Sequence, residues 1–387
     1  ITPYFWGDGS EISDGMMYGM MVSKNYTLPP VLAEIAIDSS RVIIKQSNGL
    51  DISELRKEGY YGTDNRSMMM QWGMECFSNK EIIRNSLAHI RNCNMFSNDF
   101  LKDFKMLDYR LIHWLHLEPP LNRILKPQTA GVAIQKGNTY TFKTRDFSMY
   151  TVQSHHPGTY GDQQHVFGMN MGNHFSIFHA HPALEKGVKH QSPNYWVGYG
   201  HFPHSVQDEH VNLSIYNTPE KKAIMELDLL DYTHAYFPFE QFDTAFMVNN
   251  YVFGKKGEAY CAFIGRHEFS LREDSQDNIL QKGKQVYWIT EAGSKQLDGE
   301  FQQFVERIRG NHLEFNEESL ELTYQSRGRV YYLQFDGDFK IDKQLINTNY
   351  SRYDSPYIKA EKKDPTLRFS YNGKTLFLDF EKQLRQF

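Results

Sequence analysis

The sequence predicts an α+β protein in which a helical N-terminal region, residues 1–125, precedes a large antiparallel β region, residues 126–387. Three observations support this fold class. Apolar side chains recur at helical spacing in the first region, and prolines and glycines between residues 119 and 137 interrupt that pattern. From about residue 138 the apolar side chains alternate with polar ones, which is typical of strands.

Four or five helices are predicted in the N-terminal region, and three of them can be located. Ser78-Asn79-Lys80-Glu81 is a capping box, and apolar residues follow it at helical spacing. A second helix starts near Ser97, and Asp64 is placed to cap a third. The apolar residues expected to face the core are Ile82, Ile83, Leu87 and Ile90; Phe100, Phe104, Leu107, Leu111 and Trp114; and Met68, Met69, Trp72 and Met74.

The β region carries clear strand and turn signals. Tyr140 and Phe142 alternate with threonines, and residues 286–289 and 330–333 are rich in β formers. Asn372-Gly373 lies between two alternating runs and predicts a hairpin turn. One helix, Glu300 to Ile308, is expected within this region.

Composition excludes several classes of protein. The 387 residues carry a formal charge of −5 and no basic stripe, which argues against nucleic-acid binding. No apolar run reaches the roughly 20 residues that span a bilayer. Cys76, Cys93 and Cys261 are too scattered for a disulfide framework or a thiolate zinc site. P-loop, Rossmann, GxSxG, HExxH and EF-hand patterns are absent from the sequence.

Histidines concentrate in one stretch. Ten of the sixteen lie between residues 155 and 210. Neutral imidazoles serve as general bases, metal ligands or hydrogen-bonding groups, so this stretch is where we expect chemistry. Its histidines are His155, His156, His165, His174, His179, His181, His190, His201, His204 and His210.

The register of one hairpin decides whether these histidines converge. A three-residue loop at 171–173 places His165 opposite His179, on one face of the sheet. A two-residue loop places His165 opposite Ala180, so that His165 lies on the other face of the sheet from His179 and His181. If the imidazoles converge, His179 and His181 with Asp208 form a candidate site for zinc or calcium, although no cofactor is required by the pattern.

Candidate ligand-binding residues occur in three further places. Tyr195 and Trp196 lie in a loop where glycines alternate with aromatic residues, a composition suited to stacking on sugar rings. His234 and Tyr236 share a strand face. The remaining candidates, which offer amide, hydroxyl and guanidinium groups, are Gln164, Tyr61, Asn65 and Arg66.

Two motifs carry a resemblance to a known family. Gly7-Asp8-Gly9-Ser10 followed by Met17-Tyr18-Gly19, and the later His-rich run around His165, resemble polysaccharide lyases built from an (α/α) toroid and a β super-sandwich, of the heparinase II/III and hyaluronate/chondroitin lyase kinds. The chain departs from the family pattern at Ser13 and Gly15. Gln163 stands where a second histidine is usual.

The resemblance implies an incomplete toroid over residues 1–125, a super-sandwich over 126–387, and further helices before Ile1. It also implies β-elimination on a uronate-containing polysaccharide, with Tyr18 as catalytic acid or base and His165 as base or neutralising group. Lyases of this kind are usually secreted or periplasmic. The alternatives are a non-catalytic glycan-binding protein of the same architecture and a glycoside hydrolase, for which Asp8, Asp14, Asp162 and Asp208 form no recognisable pair.

Overall fold

A computed structural model describes most of the β region and part of the N-terminal region. The described residues are 27–73, 82–99, 102, 136–159, 161, 165–172, 175–188, 193–220 and 229–387. Within them the α-helices are α1 (Pro30–Ile37), α2 (Ile52–Lys57), α3 (Asn65–Gly73), α4 (Ile83–Asn92), α5 (Lys295–Asp298) and α6 (Phe301–Arg309). Short 3-10 helices lie at Met95–Ser97 and Phe239–Gln241.

Strands dominate the described residues. The first twelve are β1 (Val42–Gly49), β2 (Lys136–Lys143), β3 (Ser148–Gln153), β4 (Phe167–Asn170), β5 (Ser176–Ala180), β6 (His204–Asp208), β7 (Val211–Asn217), β8 (Tyr232–Tyr236), β9 (Thr244–Val248), β10 (Tyr251–Lys256), β11 (Ala259–Gly265) and β12 (Ser270–Arg272). The others are β13 (Ser275–Lys282), β14 (Gln285–Ser294), β15 (Leu313–Asn316), β16 (Glu321–Ser326), β17 (Arg329–Gln334), β18 (Phe339–Ile341), β19 (Gln344–Leu345), β20 (Tyr353–Asp354), β21 (Lys359–Ala360), β22 (Thr366–Tyr371), β23 (Lys374–Asp379) and β24 (Leu384–Gln386).

These strands form four sheets in the described part of the chain, and every strand pair identified there is antiparallel. The largest has ten strands in the order β12-β13-β8-β5-β4-β3-β2-β1-β20-β21. The second has six strands in the order β6-β7-β14-β11-β10-β9. A five-stranded sheet holds β15 to β19, and a three-stranded sheet holds β22 to β24. An α+β fold with predominantly antiparallel sheets is therefore confirmed.

The two largest sheets share one aromatic core. Phe167 of the ten-stranded sheet contacts Phe263 of the six-stranded sheet, with ring centroids 6.4 Å apart. Trp288 is fully buried in the same core, where its indole N–H donates to the Thr233 hydroxyl at 2.7 Å. Because each strand alternates its side chains, the opposite face of each sheet is available for other contacts.

The far face of the six-stranded sheet packs against α6 and the five-stranded sheet. Phe304 and Ile308 of α6 are buried there with Leu333 of β17. Glu291 of β14 is fully buried and accepts hydrogen bonds from Arg307 (2.9 Å) and from the Tyr324 hydroxyl (2.8 Å). This buried ion pair joins three structural layers. We refer to Glu291, Asp298, Arg307, Tyr324, Ser326 and Arg327 as the Glu291 network.

The N-terminal region is not purely helical. Strand β1 lies inside residues 1–125 and pairs along its whole length with β2, from Val42↔Lys143 to Gly49↔Lys136. The expectation that all of residues 1–125 would be helical is wrong on this point. Val42-Ile43-Ile44 is a run of β-branched residues, which favours a strand at this position. None of the described helices is long and apolar enough to cross a membrane.

Several local predictions are confirmed. Asp64 precedes α3, and its carboxylate accepts from the Ser67 N–H at 3.0 Å. Helix α4 lies where apolar residues follow the capping box, whose residues 78–81 lie outside the described residues. Helix α6 begins after Glu300. The β22–β23 hairpin turns at Asn372 (φ 48°) and Gly373 (φ 72°), as an Asn-Gly turn requires. The helix predicted from Ser97 lies largely outside the described residues.

Candidate functional site

One face of the ten-stranded sheet collects aromatic side chains. In the register of β5 and β8, Phe178 lies opposite Tyr236 and Ala180 lies opposite His234. Paired residues and their neighbours two positions along share a face, so Phe178, Tyr236 and His234 point to the same side. This is the side away from the shared core, because His179 and Ala235 belong to the core side.

Trp196 covers this group. Its indole stacks on the His234 imidazole, with centroids 4.5 Å apart and an interplanar angle of 18°. The rings of Phe178 and Tyr236 are each roughly perpendicular to the indole, with centroids 5.9 Å from its own. Trp196, Phe178 and Tyr236 are half-buried, whereas His234 has no exposed surface. We call Phe178, Trp196, Tyr236 and the half-buried His165 the aromatic face.

Tyr195 and His234 support the aromatic face from below. Tyr195 is 3% exposed, its ring lies 4.4 Å from that of His234, and its hydroxyl accepts from the Asn278 amide. The predictions that Tyr195 and His234 contact a ligand directly are therefore wrong, because Trp196 and the packed loop exclude them from the surface. Trp196 and Tyr236 remain accessible to a ligand.

Two acidic and two basic side chains form a cluster next to Tyr195, and we call them the charged rim. Arg272 lies over the Tyr195 ring at 5.1 Å and donates to Asp274 at 2.9 Å. Its guanidinium also lies 3.4 Å from Glu185, and Lys186 pairs with Asp274 at 3.1 Å. The two cations and two anions balance, so the rim adds polar groups without a strong positive field.

His165 lies at the edge of the aromatic face. Its ring contacts Phe178 at 5.2 Å and Tyr199 at 5.9 Å, and it makes a hydrogen bond to the Trp196 backbone. Burial lowers the pKa of His165 to about 4. The imidazole is therefore neutral at pH 7. The hydrogen bond to the Trp196 carbonyl uses one ring N–H, which leaves the other nitrogen with its lone pair.

Neither ring nitrogen of His234 has a hydrogen-bond partner among the described residues, a feature that it shares with the less buried His210. Burial, reinforced by nearby His181 and His165, holds the pKa of His234 well below its usual value. An unpaired buried imidazole is costly to the fold, so its retention under Trp196 is more typical of a functional site than of a core position.

The predicted histidine hairpin adopts neither of the two expected registers. Met169 lies opposite Ile177 and Asn170 opposite Ser176, so the loop is longer than either prediction. Phe167 consequently stacks on His179, with centroids 4.6 Å apart. His179 therefore faces the shared core, whereas His165 contacts Phe178 on the outer face.

The metal-ligand set formed by His179, His181 and Asp208 does not assemble. His179 pairs with the Tyr216 hydroxyl at 2.8 Å, and His181, beyond the end of β5, donates to the Leu230 carbonyl at 2.9 Å. Asp208 ends β6 in the other sheet and accepts from Arg329. Within the described ranges no group of three suitable side chains could hold a metal ion.

The other predicted residues lie elsewhere or outside the described residues. Tyr61 packs in a separate cluster around Leu55 and Met68, with the Arg56 guanidinium 4.3 Å from its ring. Asn65 starts α3, and Arg66 donates to the Tyr60 hydroxyl at 2.8 Å. The proposed catalytic residue Tyr18 and the binding residue Gln164 lie outside the described residues.

Sequence reasoning did not single out Phe178, Arg272 or Asn278. Phe178 gave a usable signal, since it alternates with the histidine that follows it and so must lie on the opposite face from His179. Arg272 and Asn278 gave none. They reach the site through pairing of β8 with β13 and of β13 with β12, which no local pattern encodes.

Comparisons with known proteins do not assign a function to this site. No protein-family model matches the chain. No curated protein matches it, and no solved structure matches it.

Proposed function

We propose that the chain binds a uronate-containing polysaccharide on the aromatic face and cleaves it by β-elimination. The observation that carries the proposal is the position of a neutral imidazole, His165, which contacts the half-buried ring of Phe178 and hydrogen-bonds to the backbone of Trp196. Indole and phenol rings stack on the apolar faces of sugars, and a neutral imidazole can accept a proton. The motifs around Tyr18 and His165 add the resemblance to polysaccharide lyases.

The chemical step assigns each group one role. His165 takes the proton from C5 of the uronate, and the released electron pair forms the C4–C5 double bond as the C4–O bond breaks. The leaving oxygen receives a proton from Tyr18, the residue to which the family resemblance gives this role. A bound carboxylate would raise the pKa of His165 toward neutrality, where a base is most effective.

Non-catalytic glycan binding is the second candidate, and one observation favours it. Arg272 and Lys186, the cations of the charged rim, already pair with Glu185 and Asp274. Neither cation is therefore free to neutralise a substrate carboxylate without losing an existing partner. A binding protein needs only the stacking surface, whereas a lyase needs charge neutralisation in the transition state.

Ultraviolet absorbance of the unsaturated uronate distinguishes the two candidates. A panel of uronate polysaccharides is incubated with the protein and with His165→Gln and Trp196→Ala variants. A lyase produces absorbance that His165→Gln abolishes while binding persists, and Trp196→Ala weakens both binding and turnover. Glycan binding with no absorbance change supports the second candidate. If no glycan binds, both are wrong.

A further inference from the structure

A second cleft lies on the outer side of the ten-stranded sheet, between β1–β4 and α1. It has a volume of about 240 Å³. Ile35 of α1 forms one wall, and Lys143, Ser148 and Asn170 line the sheet side together with Thr141. The cleft is separate from the aromatic face, which is built on β5, β8 and the loop that carries Trp196.

The register brings the polar groups of this cleft into one row. Lys143 lies opposite Ser148 across β2 and β3, and Ser148 lies opposite Asn170 across β3 and β4. Opposed residues share a face, and neighbouring strands are about 4.8 Å apart. An ammonium, a hydroxyl and an amide therefore follow one another across three strands. A ligand lying along this row could contact all three.

Thr141 adds a buried polar group with no partner. Its side chain is 4% exposed, and its hydroxyl has no hydrogen bond among the described residues. It faces the same side as Lys143, two positions away on β2, and lies opposite Ile44. Buried hydroxyls are normally hydrogen-bonded, so an unpaired one that lines a cleft indicates a ligand contact.

The charge in the cleft is positive. Lys143 forms no ion pair within the described part of the chain, so its ammonium can bind an anion. Asp38 approaches the cleft through Tyr357, but its carboxylate accepts hydrogen bonds from the Tyr357 hydroxyl and from Ser40. Ile35 and Ile44 provide an apolar wall for a carbon skeleton.

We infer that this cleft binds a small hydroxylated carboxylate, about the size of one sugar acid. Lys143 pairs with the carboxylate, and Thr141, Ser148 and Asn170 bind the hydroxyl groups. The volume lies below the roughly 300–1,000 Å³ of sites for drug-sized molecules, which suits a single ring. One lysine with neutral hydrogen-bonding groups fits a monoanion better than a phosphate, which is normally bound by several cationic or backbone N–H donors. The inference does not depend on the proposed function.

Calorimetric titration with glucuronate tests this inference. The full chain and its Lys143→Gln, Thr141→Val and Lys282→Gln variants are titrated with glucuronate, glucose and inorganic phosphate, with circular dichroism to confirm folding. Lys282 is the matched control, since it is an exposed lysine on β13 of the same sheet. Trp196→Ala tests independence from the aromatic face.

Saturable glucuronate binding is expected. Lys143→Gln should weaken it about 10- to 100-fold, the effect of losing a charged hydrogen bond, and Thr141→Val should weaken it about tenfold or less. Lys282→Gln and Trp196→Ala should leave it unchanged. No saturable binding, binding that is unchanged in Lys143→Gln, or phosphate binding as tight as that of glucuronate overturns the inference.

Discussion

The Glu291 network and the aromatic face bury polar groups in opposite ways. The Glu291 carboxylate accepts hydrogen bonds from Arg307, Tyr324 and Ser326, so its buried charge is matched by donors. His234, equally buried, has no hydrogen-bond partner among the described residues and lies under a half-exposed indole. A buried carboxylate that is matched by donors stabilises a fold, whereas an unpaired group beneath an accessible ring is typical of a site that acts on a ligand.

The largest expected effect is acid unfolding. Burial lowers the pKa of eight histidines in the described part of the chain, so below about pH 6.5 the unfolded chain takes up protons that the folded chain does not. Folding stability should therefore be complete above about pH 6.5 and decrease as the pH falls. These histidines are His155, His165, His179, His181, His204, His210, His234 and the more exposed His267.

Each such histidine contributes up to about 1.4 kcal/mol per pH unit to this slope. Urea unfolding at several pH values between about 7 and 5 measures it. His234→Leu should reduce this slope by up to about 1.4 kcal/mol per pH unit, the contribution of one proton. Replacement of the exposed His312 by Leu is the control. A stability that is flat over this range would contradict the burial of neutral histidines.

The next largest effect is expected from breaking the Glu291 network. Glu291→Gln removes the charge and leaves Arg307 paired with Asp298 alone, so the free energy of unfolding should fall by about 3–5 kcal/mol. Glycan binding should be retained. Urea unfolding at pH 7 measures the change, with Glu314→Gln at an exposed position as control. A loss below about 1 kcal/mol would show that the network is not a stabilising one.

Removal of Trp196 tests the aromatic face, where the indole covers the unpaired His234. Trp196→Ala exposes His234 to water, so the pKa of His234 should rise toward its usual value. Histidine ring NMR signals followed against pH measure this shift. Trp72→Ala is the matched control, because Trp72 contacts a different histidine, His89, at 5.3 Å. An unchanged His234 titration in Trp196→Ala would contradict the covering role of the indole.

The smallest effect is expected in the charged rim. Glu185 pairs with Arg272 as Glu291 pairs with Arg307, but its side chain is 55% exposed. Glu185→Gln should therefore change the free energy of unfolding by less than about 1 kcal/mol. It should also leave Arg272 with Asp274 as its one acidic partner among the described residues and so tighten uronate binding. Parallel urea unfolding and glycan titration measure both, and weaker binding would show that Glu185 itself contacts the glycan.

Local patterns predicted the elements better than the site. The Asn372-Gly373 turn and the helix after Glu300 depend on neighbours in sequence, and both were found. The assembly of His234, Trp196 and Phe178 depends on pairing of β5 with β8, which are more than fifty residues apart in the chain. Sequence alone therefore named Trp196, Tyr236 and His234 without showing which of them were buried.

The histidine hairpin shows how sensitive such inference is. A loop longer than expected changed the partner of His179 to Phe167, and the imidazole entered the core between Phe167 and Trp288. Likewise, Asp208 accepts a hydrogen bond from Arg329, a residue more than a hundred positions away in the chain. Alternation gives the face of a residue only when the register is known.

NMR of histidine-labelled protein titrated with a uronate oligosaccharide tests whether the aromatic face binds the glycan. We expect saturable shifts of the His165 and His234 ring signals, no shift at His89, and loss of the effect in Trp196→Ala. If the oligosaccharide binds while His165 and His234 remain unchanged, the aromatic face is not the ligand site.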